Sequence, residues 1–269
     1  MTAVDKVFAG SIPEVYDRLL VPLIFEPYAR DLAGRVAAGG PRDVLETAAG
    51  TGVLTRALAA RLPAARIVAS DLNPPMLERA RMRQGEDARI AWRQADALAL
   101  PFEDASFDAV ACQFGAMFFP DKAQGYREAR RVLRPGGRFL FNVWDRIAEN
   151  EFADVVTEAL AALFPSDPPR FLARTPHGYH DPDQIRRDLA AAGFSDVAVE
   201  AVVHTSRAAS PQDPAVAYCQ GTPLRTEIEA RGPPGLDAAT ARAAEALARR
   251  FGSGAVEGRI AALVVTAAR

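Results

Sequence analysis

Three carboxylates close three short apolar runs in the first hundred residues: Glu46 after Val44-Leu45, Asp71 after RIVAS, and Asp96 after ARIAWRQA. Open α/β sheets bind their ligands at the carboxyl ends of strands, so these acids stand where a ligand is read. Gly50 and Gly52 follow Glu46, and glycine lets main-chain N–H groups approach a ligand through backbone angles closed to other residues. A pyrophosphate loop is written G-x-G-x-x-G, but the third glycine position here falls on Thr55. Glu46 would repel phosphate and can accept hydrogen bonds from an amino group. Asp71, about 20 residues beyond the loop, occupies the place from which an acid bonds ribose hydroxyls. An aspartate at a strand end is also an ordinary helix cap, and that reading stands beside the first.

An ammonium, a ribose and no diphosphate are features of S-adenosylmethionine (SAM). VLETAAGTGVLTRAL, residues 44 to 58, resembles motif I of the class I SAM-dependent methyltransferases, an acid followed by alternate glycines, with Ala48 at the first glycine position. LALPFEDASFDAVACQFGAMFFPD resembles the region where that family bonds the adenine amino group after the third strand and ends its fourth strand beside the sulfonium. YREARRVLRPGGRFLF is similar to the helix and fifth strand of the ubiquinone/menaquinone-biosynthesis-like branch. The resemblance runs from Val44 to about Trp144 and implies SAM as cofactor. It assigns Glu46 to the ammonium, Ala48, Gly50 and Gly52 to the loop, and Asp71 to the ribose. Asp96 and Ala97 meet the adenine, and Gln113 and Phe114 the strand end by the sulfonium. Leu72 and Met76 are candidates for apolar contacts to adenine. The implied fold is α/β, a doubly wound seven-stranded mostly parallel sheet of the Rossmann-like methyltransferase type, with strand order 3-2-1-4-5-7-6, carrying an inserted helical cap.

Composition sets the elements around this site. With 49% hydrophobic residues in 269, the chain has material for one α/β domain plus an addition. A net charge of −2 and scattered arginines disfavour bulk nucleic-acid binding. Cys112 and Cys219 have no metal-like spacing, so no metal site is expected, and two cysteines suit a reducing, cytoplasmic setting. MTAVDKVFAGS lacks the pattern of a signal peptide, and no segment has the charge-free apolar length of a membrane span.

Ser11 to Glu14 has the form of a capping box, and Pro22 and Pro27 are expected to cut the following segment into short helical pieces before Gly39-Gly40. Residues 1–40 are read as an amino-terminal helical lid whose Tyr16, Phe25 and Tyr28 contact the acceptor; ordinary core packing fits them equally. Residues 41–269 form the methyltransferase domain, with cap insertions at about 146–180 and 206–252. Phe152, Val155, Val156, Ala159, Leu160 and Leu163 recur at helical spacing in the first insertion. Val197, Val199, Ala201 and Val203 alternate as a strand between the two, and GRIAALVVTA closes the chain as another.

Methyl transfer to a small, partly apolar metabolite is the implied reaction. Its acceptor atom is not written in these residues. If the acceptor must lose a proton, histidine suits the task near neutral pH. His204 shares a strand face with Ala198 and Glu200, and His180 adjoins the Asp181 helix cap, which leaves His177 as the candidate base or an exposed loop residue. A SAM-binding regulator or cyclase would share the cofactor residues. A nicotinamide-dependent oxidoreductase would share Gly50, Gly52 and Asp71 but has no use for Asp96.

Overall fold

The computed structural model describes residues 12–269, so Ser11 of the capping box lies outside the described residues. Seven strands form one sheet: β1 (Asp43–Glu46), β2 (Arg66–Asp71), β3 (Ile90–Gln94), β4 (Phe107–Gln113), β5 (Leu133–Trp144), β6 (Asp196–Ala208) and β7 (Val256–Ala268). Their order is β3-β2-β1-β4-β5-β7-β6. β1 pairs in parallel with β2 and β4, β2 with β3, and β4 with β5, whereas β7 runs antiparallel to β5. This is the doubly wound Rossmann-like arrangement of class I methyltransferases, and its strand order is the one the family resemblance implied. β1 and β4 are buried along nearly their whole length because both their faces are covered.

The described residues divide into two compact units. One comprises Glu26–Trp144, Tyr179–Val202 and Ala262–Arg269. Helix α2 (Glu26–Ala37) and helix α3 (Val53–Arg61) bury Leu32, Val36, Leu54 and Leu58 against Val44, Ile67, Ala109 and Leu140 of the sheet. Phe139 and Phe141 flank Leu140 in β5 and point to the opposite face. There they meet Tyr126 of helix α5 (Lys122–Val132), with Phe194 against Phe139. Local chemistry starts the helices as expected. Pro74 and Pro75 open α4 (Pro74–Gln84), the Asp121 carboxylate accepts from the Gln124 N–H at the start of α5, and Asp181 accepts from the Asp183 N–H at the start of α8 (Pro182–Ala191).

The other unit takes the described residues up to Phe25 with Asp145–Gly178 and Val203–Ala261. Helix α6 (Glu151–Leu163) lays Phe152 edge-on against Phe251 of α11 (Gly235–Phe251), at 5.1 Å between ring centroids. Gly258 is required beside it, since a Cβ there would come within 2.8 Å of the Phe152 ring. Asn150 bonds both the N–H and the carbonyl of Ala261. Glu227, in α10 (Leu224–Glu229), binds the N–H groups of Arg170 and Phe171 and the Arg174 guanidinium, which ties down the proline-rich loop before α7 (Phe171–Arg174). Helix α9 (Gln212–Gln220) completes the set.

Pro22 does not cut the early segment as expected, whereas Pro27 stands at the start of a new element. After the single turn α1 (Ile12–Val15), Tyr16–Phe25 winds as a π-helix with Pro22 inside it, and the wider turn carries the chain past a residue that cannot donate. Pro27 falls in the first turn of α2, where a missing N–H costs nothing.

Candidate functional site

The first expected ligand residue is the last residue of β1. Glu46 is 1% exposed, and Thr55, one turn into α3, donates its hydroxyl to the Glu46 carboxylate at 2.5 Å. Burial pushes the Glu46 carboxyl up to about 8, and the charge of Asp71 adds to that; the Thr55 bond and the Arg56 guanidinium act the other way. A carboxyl held like this ionises when a cation arrives.

The loop between β1 and α3 is wired to β2. Gly50 donates its N–H to Asp71 Oδ2 at 2.8 Å, Ala49 donates to the Ser70 carbonyl, and the Ser70 hydroxyl donates to the Glu46 carbonyl. Gly50 and Gly52 have φ of 55° and 78°, the left-handed angles that glycine supplies. Ala48, at the first glycine position, shares this left-handed conformation at φ 53°. Its methyl group fills the space that a Cβ on Gly115 would need.

Asp71 is buried, and its other oxygen accepts from the Asn73 N–H at 2.8 Å and the Asn73 amide at 3.3 Å. Burial raises its pKa, with the Asn73 and Gly50 bonds opposing. Of the four lone pairs on its two oxygens, the bonds from Asn73 and the one from Gly50 occupy three. Met76 is buried, its terminal methyl 3.8 Å from where a Cβ on Gly50 would lie, and Leu72 is 44% exposed. Asp96 is exposed and accepts from the Leu98 N–H at 2.9 Å, which holds the turn containing half-buried Ala97.

β4 ends in Gln113, which is buried, and Phe114, at φ 51°. Asn142 of β5 fixes Phe114 by accepting its N–H on Oδ1 at 3.0 Å. The Phe114 ring stacks on Trp144 at 3.9 Å and meets Tyr28 edge-on at 5.3 Å. Tyr28 has no exposed surface and donates its hydroxyl to the Val202 carbonyl.

In the other unit, the rings of Tyr16 and Phe25 pack at 5.1 Å. The three residues grouped as a lid therefore fall in different units, Tyr28 apart from the other two. His177 is 5% exposed, so it is not the exposed loop residue its alternative reading supposed. Its Nδ1 donates to the Asp145 carbonyl at 2.8 Å, a bond that puts the basic lone pair on Nε2.

Several contributors escaped the sequence reading. Thr55 registered only as the absent third glycine, yet it is the partner of Glu46. Arg56 donates to the Thr51 carbonyl and lends Glu46 its charge. The Thr51 hydroxyl is buried within the loop with no hydrogen-bond partner among the described residues. A buried acid awaiting a cation, an unpaired loop hydroxyl and left-handed glycines suit the amino-acid and ribose ends of SAM.

A family model described as a methyltransferase domain matches residues 45–141. The demethylmenaquinone methyltransferase of Deinococcus radiodurans is 34% identical over 204 residues, covering 71% of this chain and 85% of that protein. The Thermus thermophilus demethylmenaquinone methyltransferase is 35% identical over 165 residues, covering 58% of this chain and 75% of that protein. Among solved structures, phosphoethanolamine N-methyltransferase 2 of Haemonchus contortus in complex with SAM aligns with a TM-score of 0.60 at 17% identity. It covers 98% of this chain and 58% of that one, and shows likeness of fold. The chain belongs to the class I SAM-dependent methyltransferases, in the branch resembling the ubiquinone/menaquinone-biosynthesis enzymes, and is an enzyme that methylates a small, partly apolar metabolite.

Proposed function

We propose that the acceptor is a reduced quinone ring and that the methyl group goes to carbon. The observation that carries this reading is the 34% identity shared with a demethylmenaquinone methyltransferase over 85% of that protein's length. The net charge of −2 and the absence of a basic tract support a small molecule over a nucleic acid. No helix among the described residues is long and apolar enough to cross a membrane, which supports a cytoplasmic enzyme meeting its acceptor from the aqueous side.

When bound, the sulfonium supplies an electrophilic methyl group. Glu46 holds the ammonium and Asp71 the ribose hydroxyls. Asp96 with Ala97 faces the adenine, Leu72 and Met76 give it apolar surface, and Gln113 with Phe114 borders the reacting end. Ala48, Gly50 and Gly52 shape the loop. Positioning then provides much of the acceleration for an in-line displacement. Methylation at carbon exchanges a ring C–H for C–CH3, so one proton leaves in all. His177 Nε2 takes the phenolic proton that activates the ring, and the C–H proton lost as aromaticity returns makes good the one on oxygen. Tyr16 and Phe25 line the acceptor side of a lid and cap built from the amino-terminal segment and the insertions at about 146–180 and 206–252. Tyr28 acts from behind Phe114.

Incubation with SAM and chemically reduced demethylmenaquinone, followed by mass spectrometry, tests the reading. Product carrying one added methyl group on carbon, with S-adenosylhomocysteine in equal amount, is expected. Turnover of a different small acceptor but not of the quinol would overturn the acceptor while leaving the methyltransferase in place.

A further inference from the structure

The amino-terminal ends of β1, β4 and β5 lie at the edge of the sheet opposite the strand ends just described. A hollow of about 420 Å³ opens there, between the Gly39-Gly40-Pro41 turn and the Arg134–Gly137 turn, with Val36 and Leu140 in its lining. That volume is within the range of small-molecule sites. Arg42, Arg134, Arg138 and Asp108 supply its charged lining.

The charges do not cancel. Asp108 accepts from the N–H groups of Arg42 and Asp43 and from the Arg134 guanidinium, and Asp43 is paired with Arg66 and Arg134. Two carboxylates are thereby matched by two guanidiniums. Arg42 and Arg138 remain over, and neither side chain has an ion pair or hydrogen bond among the described residues. Register brings them to one place: Arg138 lies opposite Ala109, Ala109 lies opposite Val44, and Arg42 precedes Val44 by one strand repeat. Two strand spacings separate the backbones of β1 and β5, about 10 Å, which long arginine side chains can span from both sides. Gly40 and Gly136 have positive φ, and a Cβ on either would have no atom within 4 Å. The turns thus leave room beside the guanidiniums.

We infer that this hollow binds a small molecule carrying two anionic groups, phosphate or carboxylate, each received by one of the two uncompensated arginines. Guanidinium forks suit both groups, and a concave surface with surplus positive charge concentrates anions. Because the hollow lies at the ends of β1 and β4 remote from Glu46 and Gln113, its ligand binds without displacing SAM.

The test uses the full chain and two probes, inorganic pyrophosphate for the phosphate class and citrate for the carboxylate class, titrated calorimetrically at ionic strength matched with chloride. Saturable binding of at least one probe is expected, and the tighter probe identifies the class. Arg42→Gln and Arg138→Gln should each weaken it by about tenfold or more while SAM affinity stays unchanged. Absence of saturable binding by either probe to the unaltered protein would overturn the inference. So would both single variants binding as tightly as the unaltered protein.

Discussion

The Thr55 hydroxyl donates to the buried Glu46 carboxylate at 2.5 Å, so the first turn of α3 holds the acid that ends β1. Removing the donor as Thr55→Val leaves that carboxylate harder to ionise. A loss of about 1.5–3 kcal/mol in SAM binding is expected, the usual range for a hydrogen bond to a charged group. Calorimetry on the folded variant checks it, and unchanged affinity would separate Thr55 from the cofactor.

Glu46 makes stability depend on pH in a stated direction. Its folded pKa of about 8 exceeds the ordinary value of 4.5, so between these values the native state retains a proton that the unfolded chain has lost. Stability of the ligand-free protein should therefore fall as pH rises through that window, by at most roughly 1.4 kcal/mol per pH unit from this group. Urea unfolding of the wild type and Glu46→Gln checks the sign: the variant should lose this component of the slope.

Asp71 serves both the loop and the ribose. Asp71→Ala removes the acceptor for Gly50 and Asn73 along with the proposed hydroxyl contacts, and should weaken SAM binding by more than tenfold. Wild-type affinity in the folded variant would refute its role.

Ala48 sits at φ 53°, a conformation costing roughly 1–2 kcal/mol for an L-residue, so Ala48→Gly should recover part of that. Gly115→Ala should destabilise strongly, because its Cβ would overlap the Ala48 methyl and approach Cys112 Sγ. In the Ala48→Gly background the penalty should shrink, leaving the thiol contact. Denaturant midpoints for the four combinations measure the coupling.

His177→Ala should lower turnover by about 10²-fold while SAM affinity holds, the scale of a lost general base. Turnover within a few-fold of wild type would leave positioning as the main source of rate.

The alternation of strands and helices and the acids at the strand ends were legible because local signals agree there: apolar runs ending in Glu46, Asp71 and Asp96, proline-opened and aspartate-capped helices, and glycines where φ is positive. The order of the strands came from the family resemblance alone. What escaped depends on contacts distant in sequence. Asn142 reaches Phe114 from the neighbouring strand, and Tyr28 reaches Val202 across 174 residues, so neither partner can be read from spacing. Thr55 was visible but read only by what it was not. The π-helical passage through Pro22 was hidden because proline signals a missing donor, whereas the wider winding that accommodates it has no residue signature.

The most direct test is calorimetric titration of wild type and Glu46→Gln with SAM, in buffers of different ionisation enthalpy, at a pH between the ordinary carboxyl value and about 8. Wild type should bind one SAM per chain and release a proton on binding, as the ammonium ionises the buried carboxyl. Glu46→Gln should bind more weakly and release none. Equal affinity and equal proton release in the two proteins would contradict the assignment of this strand end as the cofactor site.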